Sequence, residues 1–268
     1  MQLLGVVGPE ARTLCERMSP HLDGKVAVVE RAEDHSTDGT LSSGSERVEG
    51  VDTAYELGDD GAWAAAGDAR DLDGILDDLA ARYDHALLVG FPDADVSTIS
   101  LGGTEAENVV IEADSVDDVD TGDALDALAD ADPHVTLETL VERVKESPRA
   151  ERAGAIATFT GRVRARDDPD DPRTLALTFE KYEGVADDRL RTIESELMER
   201  EGVEEVALFH RTGTLESGED IVFVVVLAGH RDEAFETVSD GIDRLKDEVP
   251  IFKRETTVEE DFWVHDRQ

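Results

Sequence analysis

A two-domain chain is predicted: an α/β unit with a parallel sheet, then an α+β unit with a largely antiparallel sheet. Three observations predict it. The chain has 268 residues, enough for one or two domains with real cores. In the first half, short apolar strands alternate with helical patterns, which favours a parallel sheet. In the second half the order changes to strand, strand, helix, strand, strand, helix, the rhythm of an α+β sandwich.

Taken in order, "LLGVVG" and "KVAVVE" read as short buried strands, "GILDDLAARY" as an amphipathic helix, and "DHALLVGF" as another buried strand. Between them "EDHSTDGTLSSGSERVEG" is polar and glycine-rich and reads as a long flexible loop. The stretch "EADSVDDVDTGDALDALADADPHV" is acidic and rich in turn formers, and reads as a linker closing the first domain. "PHVTLETLVERVKESP" follows as a short capped helix, and the boundary falls near 143–150, giving domains 1–145 and 146–268. Beyond it "GAIATFTGRVRA", "TLALTFEKY", "VEEVALFHRTG" and "DIVFVVVLAG" read as strands. "VADDRLRTIESELMERE" and "RDEAFETVSDGIDRLKDEV" read as amphipathic helices; in the first, Leu190, Ile193 and Leu197 line one stripe.

The composition narrows the function. With 65 Asp and Glu against 26 Lys and Arg, the net charge is -39, and the acidity is spread along the chain rather than held in a tail. Such a surface suits high salt, where screening shortens repulsion to a few ångströms. Disorder is the other reading of high charge with few aromatics, and runs such as "DIVFVVVLAG" argue against it. So acidic a chain lacks the positive footprint that nucleic acid needs. A single cysteine, Cys15, excludes an intrachain disulfide or a cysteine-based metal cluster. No metal or cofactor is expected. The opening "MQLLGVVGPE" lacks a signal-peptide pattern and no apolar run reaches membrane-spanning length, so a cytoplasmic protein is expected.

Two stretches carry chemistry. The first is "GPEART", between an apparent strand and helix. A phosphate-binding loop needs Gly, four residues, then Gly-Lys-Ser/Thr, so that backbone N–H groups wrap the phosphates. Counted from Gly8, Arg12-Thr13 arrives two residues early and Ala11 stands where the second glycine belongs. An ordinary strand-to-helix turn explains it equally well. The second is "RLKDEVPIFKRE". Only five lysines occur in the chain, and Lys246 and Lys253 both fall here, on either side of Pro250. Proline must end or kink the helix, so the segment between can turn both ammonium groups toward one cavity. Solvated helix residues paired with Asp243 or Glu248 are the structural alternative for Lys246.

The second half resembles the catalytic (large) subunit of molybdopterin synthase, the MoaE family, across residues 151–266. The resemblance rests on "GAIATFTGRVR", "LTFEKYEG", "FHRTGTLESGEDIVFV", "GHRDEAF", "DRLKDEVPIFKRE" and "DFWVHD", in the family's order. It implies the α/β hammerhead fold and a sulfurtransferase. The family converts cyclic pyranopterin monophosphate to molybdopterin, with sulfur delivered as a thiocarboxylate on the C-terminal glycine of a small ubiquitin-like carrier. It also implies a homodimer with one carrier at each end, a heterotetramer. By the same resemblance Lys246 and Lys253 are the catalytic pair, and Arg162, Val163, Arg164, His230, Arg231, Arg254 and Glu255 make up the substrate site. Arg162 and Arg164 alternate along a strand, on one face with Val163 opposite. His230 has a core histidine as its alternative, and surface exposure is the alternative for the arginine pair. His210 and Arg211 read as structural or interfacial, and Phe262 and Trp263 as packing residues. The first half resembles the MobB-type adaptor of molybdenum-cofactor guanylylation, on "GVVGP…RTLCERM", the stretch from Asp60 to Phe91 and "LGG". This P-loop-like domain lacks that family's lysine, and its loop is shortened. A second function, a non-catalytic adaptor that docks the carrier, is weighed against the enzyme; the intact lysine pair favours the enzyme.

Overall fold

The computed structural model describes residues 1–32, 51–67, 70–166, 168–182, 184–258 and 261–264. The glycine-rich loop expected at 33–50 lies outside them. The chain divides into two compact units, Met1–Thr136 and Leu137–Gln268.

In the first unit β1 (Gln2–Val7) leads through a turn at Gly8 to α1 (Ala11–Met18), and then to β2 (Val26–Glu30). A hairpin of β3 (Thr53–Leu57) and β4 (Trp63–Gly67) precedes α2 (Leu72–Ala80), β5 (His85–Val89), β6 (Thr98–Leu101), β7 (Val109–Ala113) and α3 (Thr121–Ala129). The main sheet runs β2-β5-β1-β6-β7 with every pairing parallel. Its central strands are apolar on both faces because helices cover a parallel sheet on each side. Leu4, Val6, Leu87, Ile99 and Leu101 meet Leu14, Met18 and Leu128 in one cluster. Each such side chain, once fully buried, stabilises the fold by roughly 1.5–3 kcal/mol.

The acidic stretch expected as a linker proves to be folded. Asp120 caps α3, its carboxylate accepting from the backbone N–H of Gly122 at 2.7 Å. Ala124 and Leu128 drop into the core beside Val116 and Val119. The acidic residues hid Ala124 and Leu128, four apart on one face of α3, and Val116 and Val119 in the turn before it.

The second unit begins with α4 (Leu137–Lys145), the capped helix expected above, which packs on β10 and β12 and belongs here rather than to the first domain. Next come β8 (Ala155–Arg162), β9 (Thr174–Lys181), α5 (Val185–Met198), β10 (Val203–His210) and β11 (Gly213–Glu216). The unit ends with β12 (Asp220–Ala228), α6 (Arg231–Glu248), β13 (Ile251–Thr257) and β14 (Asp261–Val264). One antiparallel sheet runs β10-β12-β8, and a second runs β11-β9-β13-β14. Val222, Val224 and Val226 of β12 pack with Ile193 and Leu197 of α5 and Val238, Ile242 and Leu245 of α6. The antiparallel α+β expectation is met, with β11, β13 and β14 added. Among the described residues no helix is long and apolar enough to cross a membrane.

Candidate functional site

Alternation along β13 decides which side chains share a surface. Residues directly opposed in an antiparallel ladder point to the same face, and successive residues point to opposite ones. The register pairs Ile251 with Lys181, Lys253 with Phe179, and Glu255 with Leu177. Leu177 and Phe179 pack with Val163 and Leu215 in a small buried cluster, with Ile251 against it. Lys253 and Glu255 therefore lie on the inner face of this sheet, and Lys253 is half-buried at the edge of that cluster. Glu255 accepts a 2.5 Å hydrogen bond from the hydroxyl of buried Thr174.

Arg254 departs from the expected grouping. Its neighbours in sequence are Lys253 and Glu255, but the pleat turns it to the opposite face, where its guanidinium lies 5.9 Å from the ring of Trp263. On that outer face Phe252 meets Tyr182 edge-on, with centroids 5.7 Å apart.

Lys246 stands in the last turn of α6 and is exposed. A cation there complements the negative end of the helix dipole. Glu248, one of the partners open to it from sequence, is bound instead by Arg189 and by Arg244, the latter at 2.8 Å. Among the described residues neither the Lys246 nor the Lys253 ammonium group has an ion-pair or hydrogen-bond partner. In a chain of charge -39, two ammonium groups without carboxylate partners on either side of one helix end can receive an anion.

The remaining expected residues divide by position. Helix α6 ends at Glu248 ahead of Pro250, as the proline requires. Arg162 lies at the end of β8, where it donates to the Gly218 carbonyl at 3.0 Å and pairs with Asp220 at 3.3 Å. Val163 is buried against Leu177 and Phe179, with Arg162 and Arg164 exposed on either side; β8 ends at Arg162, so Val163 and Arg164 lie just beyond the strand expected to carry them. His230 caps α6 at its other end, and Arg231 opens the helix, exposed and paired with Asp232 at 3.2 Å. Sixteen residues of helix separate His230 from Lys246, about 24 Å at 1.5 Å per residue. One chain does not bring these two sets together.

Two side chains near Lys253 were not singled out from sequence as site residues. Lys181 is half-buried and pairs with Asp187 at 3.2 Å. His210 stacks its ring edge-on against Phe179, with centroids 4.9 Å apart, and its Nδ1 lies 2.6 Å from the Arg211 carbonyl. Burial pushes the His210 pKa down to about 4, nearby Lys181 adding to the shift and the carbonyl contact opposing it. The ring is therefore neutral near pH 7. The signal in the sequence was the alternation of "LTFEKYEG", which puts Phe179 and Lys181 on one face.

An α+β unit that holds unpaired cations at one end of a helix, within a strongly acidic chain, is suited to an enzyme of anionic substrates. Comparison with known proteins makes the class specific. The family model described as MoaE protein matches residues 132–248. A Haloferax volcanii protein named probable molybdopterin synthase is 57% identical over 267 residues, covering 100% of both chains. The molybdopterin synthase catalytic subunit of Escherichia coli (strain K12) is 42% identical over 115 residues, 43% of this chain and 75% of that protein. The crystal structure of MobB from Bacillus subtilis is 17% identical with a TM-score of 0.37, covering 48% of this chain and 98% of that one. The chain belongs to the molybdopterin synthase family. It is an enzyme of molybdenum-cofactor biosynthesis, with the catalytic subunit in its second half.

Proposed function

We propose that the second unit, an α/β hammerhead, moves sulfur from the thiocarboxylated C-terminus of a small ubiquitin-like carrier to cyclic pyranopterin monophosphate, forming the dithiolene. The observation that supports this most is the pair Lys246 and Lys253, left without carboxylate partners in so acidic a chain. Donor and substrate are both anions, and positioned ammonium groups offset the repulsion as they meet. Lysine is a compact cation able to donate protons, suited to polarising the pterin and stabilising the carboxylate that leaves once sulfur is gone. Arg164, beside the same buried cluster, offers a planar fork for phosphate, and Glu255, held by Thr174, shares the inner face with Lys253. Arg162 contributes from the rim, while Arg254, turned to the opposite face beside Trp263, lies away from Lys253.

His230 and Arg231 enter this reading through a second copy of the chain. Because α6 holds them about 24 Å from Lys246, they serve the same site only where a homodimer sets one copy's α6 start beside the other copy's α6 end. One carrier per catalytic unit then makes a heterotetramer. The first unit reads as a MobB-type domain whose phosphate loop has closed, and the protein as a cytoplasmic, salt-adapted enzyme.

The test is dithiolene formation by purified protein with thiocarboxylated carrier and pterin precursor. Lys246→Ala and Lys253→Ala are each expected to lower the rate by ~10²–10³, the typical cost of losing one positioned group from a water-poor site. Carrier binding should persist, since the carrier docks over a wide surface. Wild-type turnover by the double variant would overturn the assignment.

A further inference from the structure

Three of the five lysines of this chain, Lys181, Lys246 and Lys253, fall at one end of the second unit. Two of them share a face. Lys181 is opposite Ile251, and Lys253 is opposite Phe179. Lys181 and Lys253 are thus diagonal neighbours across an antiparallel pair, a separation of about 7–8 Å between Cα atoms. That distance lets two long side chains converge on one small anion. His210, whose ring packs edge-on against Phe179, adds no positive charge, because burial keeps it neutral.

Lys181 differs from the other two in having a partner. Asp187, in the first turn of α5, lies 3.2 Å from its Nζ. The Asp187 side chain is 40% exposed, so the pair borders solvent, where ion pairs are weak and readily exchanged. A carboxylate already sits on Lys181, and it is one that an incoming carboxylate can replace.

We propose that Lys181 is a third anion-binding residue of the sulfur-transfer site, held by Asp187 until the C-terminal carboxylate of the carrier displaces it. The inference rests on the sulfur-transfer reading and deepens it. The ligand is a peptide carboxylate rather than the substrate phosphate, because a single ammonium is a point charge whereas phosphate recognition favours the arginine fork. Asp187 then acts as a built-in competitor: it keeps Lys181 in place in the empty site and sets how tightly the spent carrier is held. Charge repulsion between neighbouring ammonium groups is relieved twice, by Asp187 before binding and by the carboxylate after it.

The experiment measures carrier affinity by calorimetry for the full chain in molar KCl, with the carrier ending either in carboxylate or in a C-terminal amide. Lys181→Met should weaken binding of the carboxylate form about tenfold, in line with the loss of one charge-assisted hydrogen bond, and leave the amide form unchanged. Asp187→Asn should tighten the carboxylate form several-fold and again leave the amide form unchanged. Equal effects on both forms, or no effect on either, would overturn the proposal, as would a change confined to the KM for the pterin precursor. Asp187 borders solvent, so its variant tests the idea even where Lys181→Met folds poorly. Failure here with Lys246→Ala and Lys253→Ala still inactive removes Lys181 alone; active lysine variants would remove the sulfur-transfer reading itself.

Discussion

Acid should weaken the second unit through one residue, His210. Its ring is packed against Phe179 and close to Lys181, and its pKa falls from 6.5 to about 4. In the unfolded chain the ring regains its ordinary value and takes up a proton first. The unfolded state therefore binds more protons between these two pH values, and stability falls as pH drops through that window. Above about 6.5 both states are neutral at this residue and the contribution is flat. Below about 4 the ring is charged in both states and no further loss occurs. A displacement from 6.5 to about 4 corresponds to at most about 3 kcal/mol at 1.36 kcal/mol per pH unit. That is a large part of the 5–15 kcal/mol typical of a domain. The assay is denaturant unfolding of the full chain in molar KCl at half-unit pH steps, wild type against His210→Gln. Glutamine keeps a donor near the Arg211 carbonyl and cannot titrate. The variant's stability should run flatter than wild type between pH 6.5 and 4, the two curves separating by about 3 kcal/mol across the window. Parallel curves would show that the ring is already solvated, and the packing argument would fail.

Glu194 should show the opposite sign. It is buried on α5, its carboxylate accepts from the Leu208 N–H at 2.7 Å, and burial raises its pKa despite Arg143 at 3.5 Å. The ionised form is thus disfavoured in the fold and lowers stability above that pKa. Glu194→Gln, which keeps the acceptor, should be stabilising at pH 7–8 and lose that advantage as pH falls, checked by the same unfolding series. In the first unit, Mg-GTP at millimolar concentration should leave the melting temperature unchanged. Gly8 sits at φ 101 with space for a Cβ only 2.1 Å from the Leu101 carbonyl, and Arg12 is already paired with Glu16 and Glu30. A rise of several degrees would mean that nucleotide binds the native state.

The parts of this chain legible from sequence are those where one periodicity holds without interruption. "DIVFVVVLAG" could only be a buried strand, and the stripe of α6 stops at Pro250 because proline cannot continue a helix. The acidic stretch before residue 135 was misread because charge dominates its composition, whereas burial follows the spacing of Val116, Val119, Ala124 and Leu128. "IFKRETT" gave no strand signal, since its inner and outer faces both carry charge. That silence mattered most for the site. Without the strand, Lys253, Arg254 and Glu255 read as one cluster; with it, the pleat assigns the first and third to the sheet's inner face and Arg254 to Trp263.

The same pleat explains why an acidic protein can hold a cationic site at all. Repulsion from 65 carboxylates is a surface property, screened within about 3 Å at molar salt. A half-buried lysine on an inner face is screened less and feels mainly its near neighbours. Among the described residues at this end of the second unit, His210 and Phe179 are neutral, Glu248 is bound by Arg189 and Arg244, Glu255 by Thr174, and Asp187 by Lys181. Arginine neutralises Glu248 and Lys181 holds Asp187, while the Lys246 and Lys253 side chains keep no ion-pair partner among the described residues. On the proposed reading, that division of labour gives a physical reason for lysine to be so rare in the chain and yet gathered at this end of the second unit.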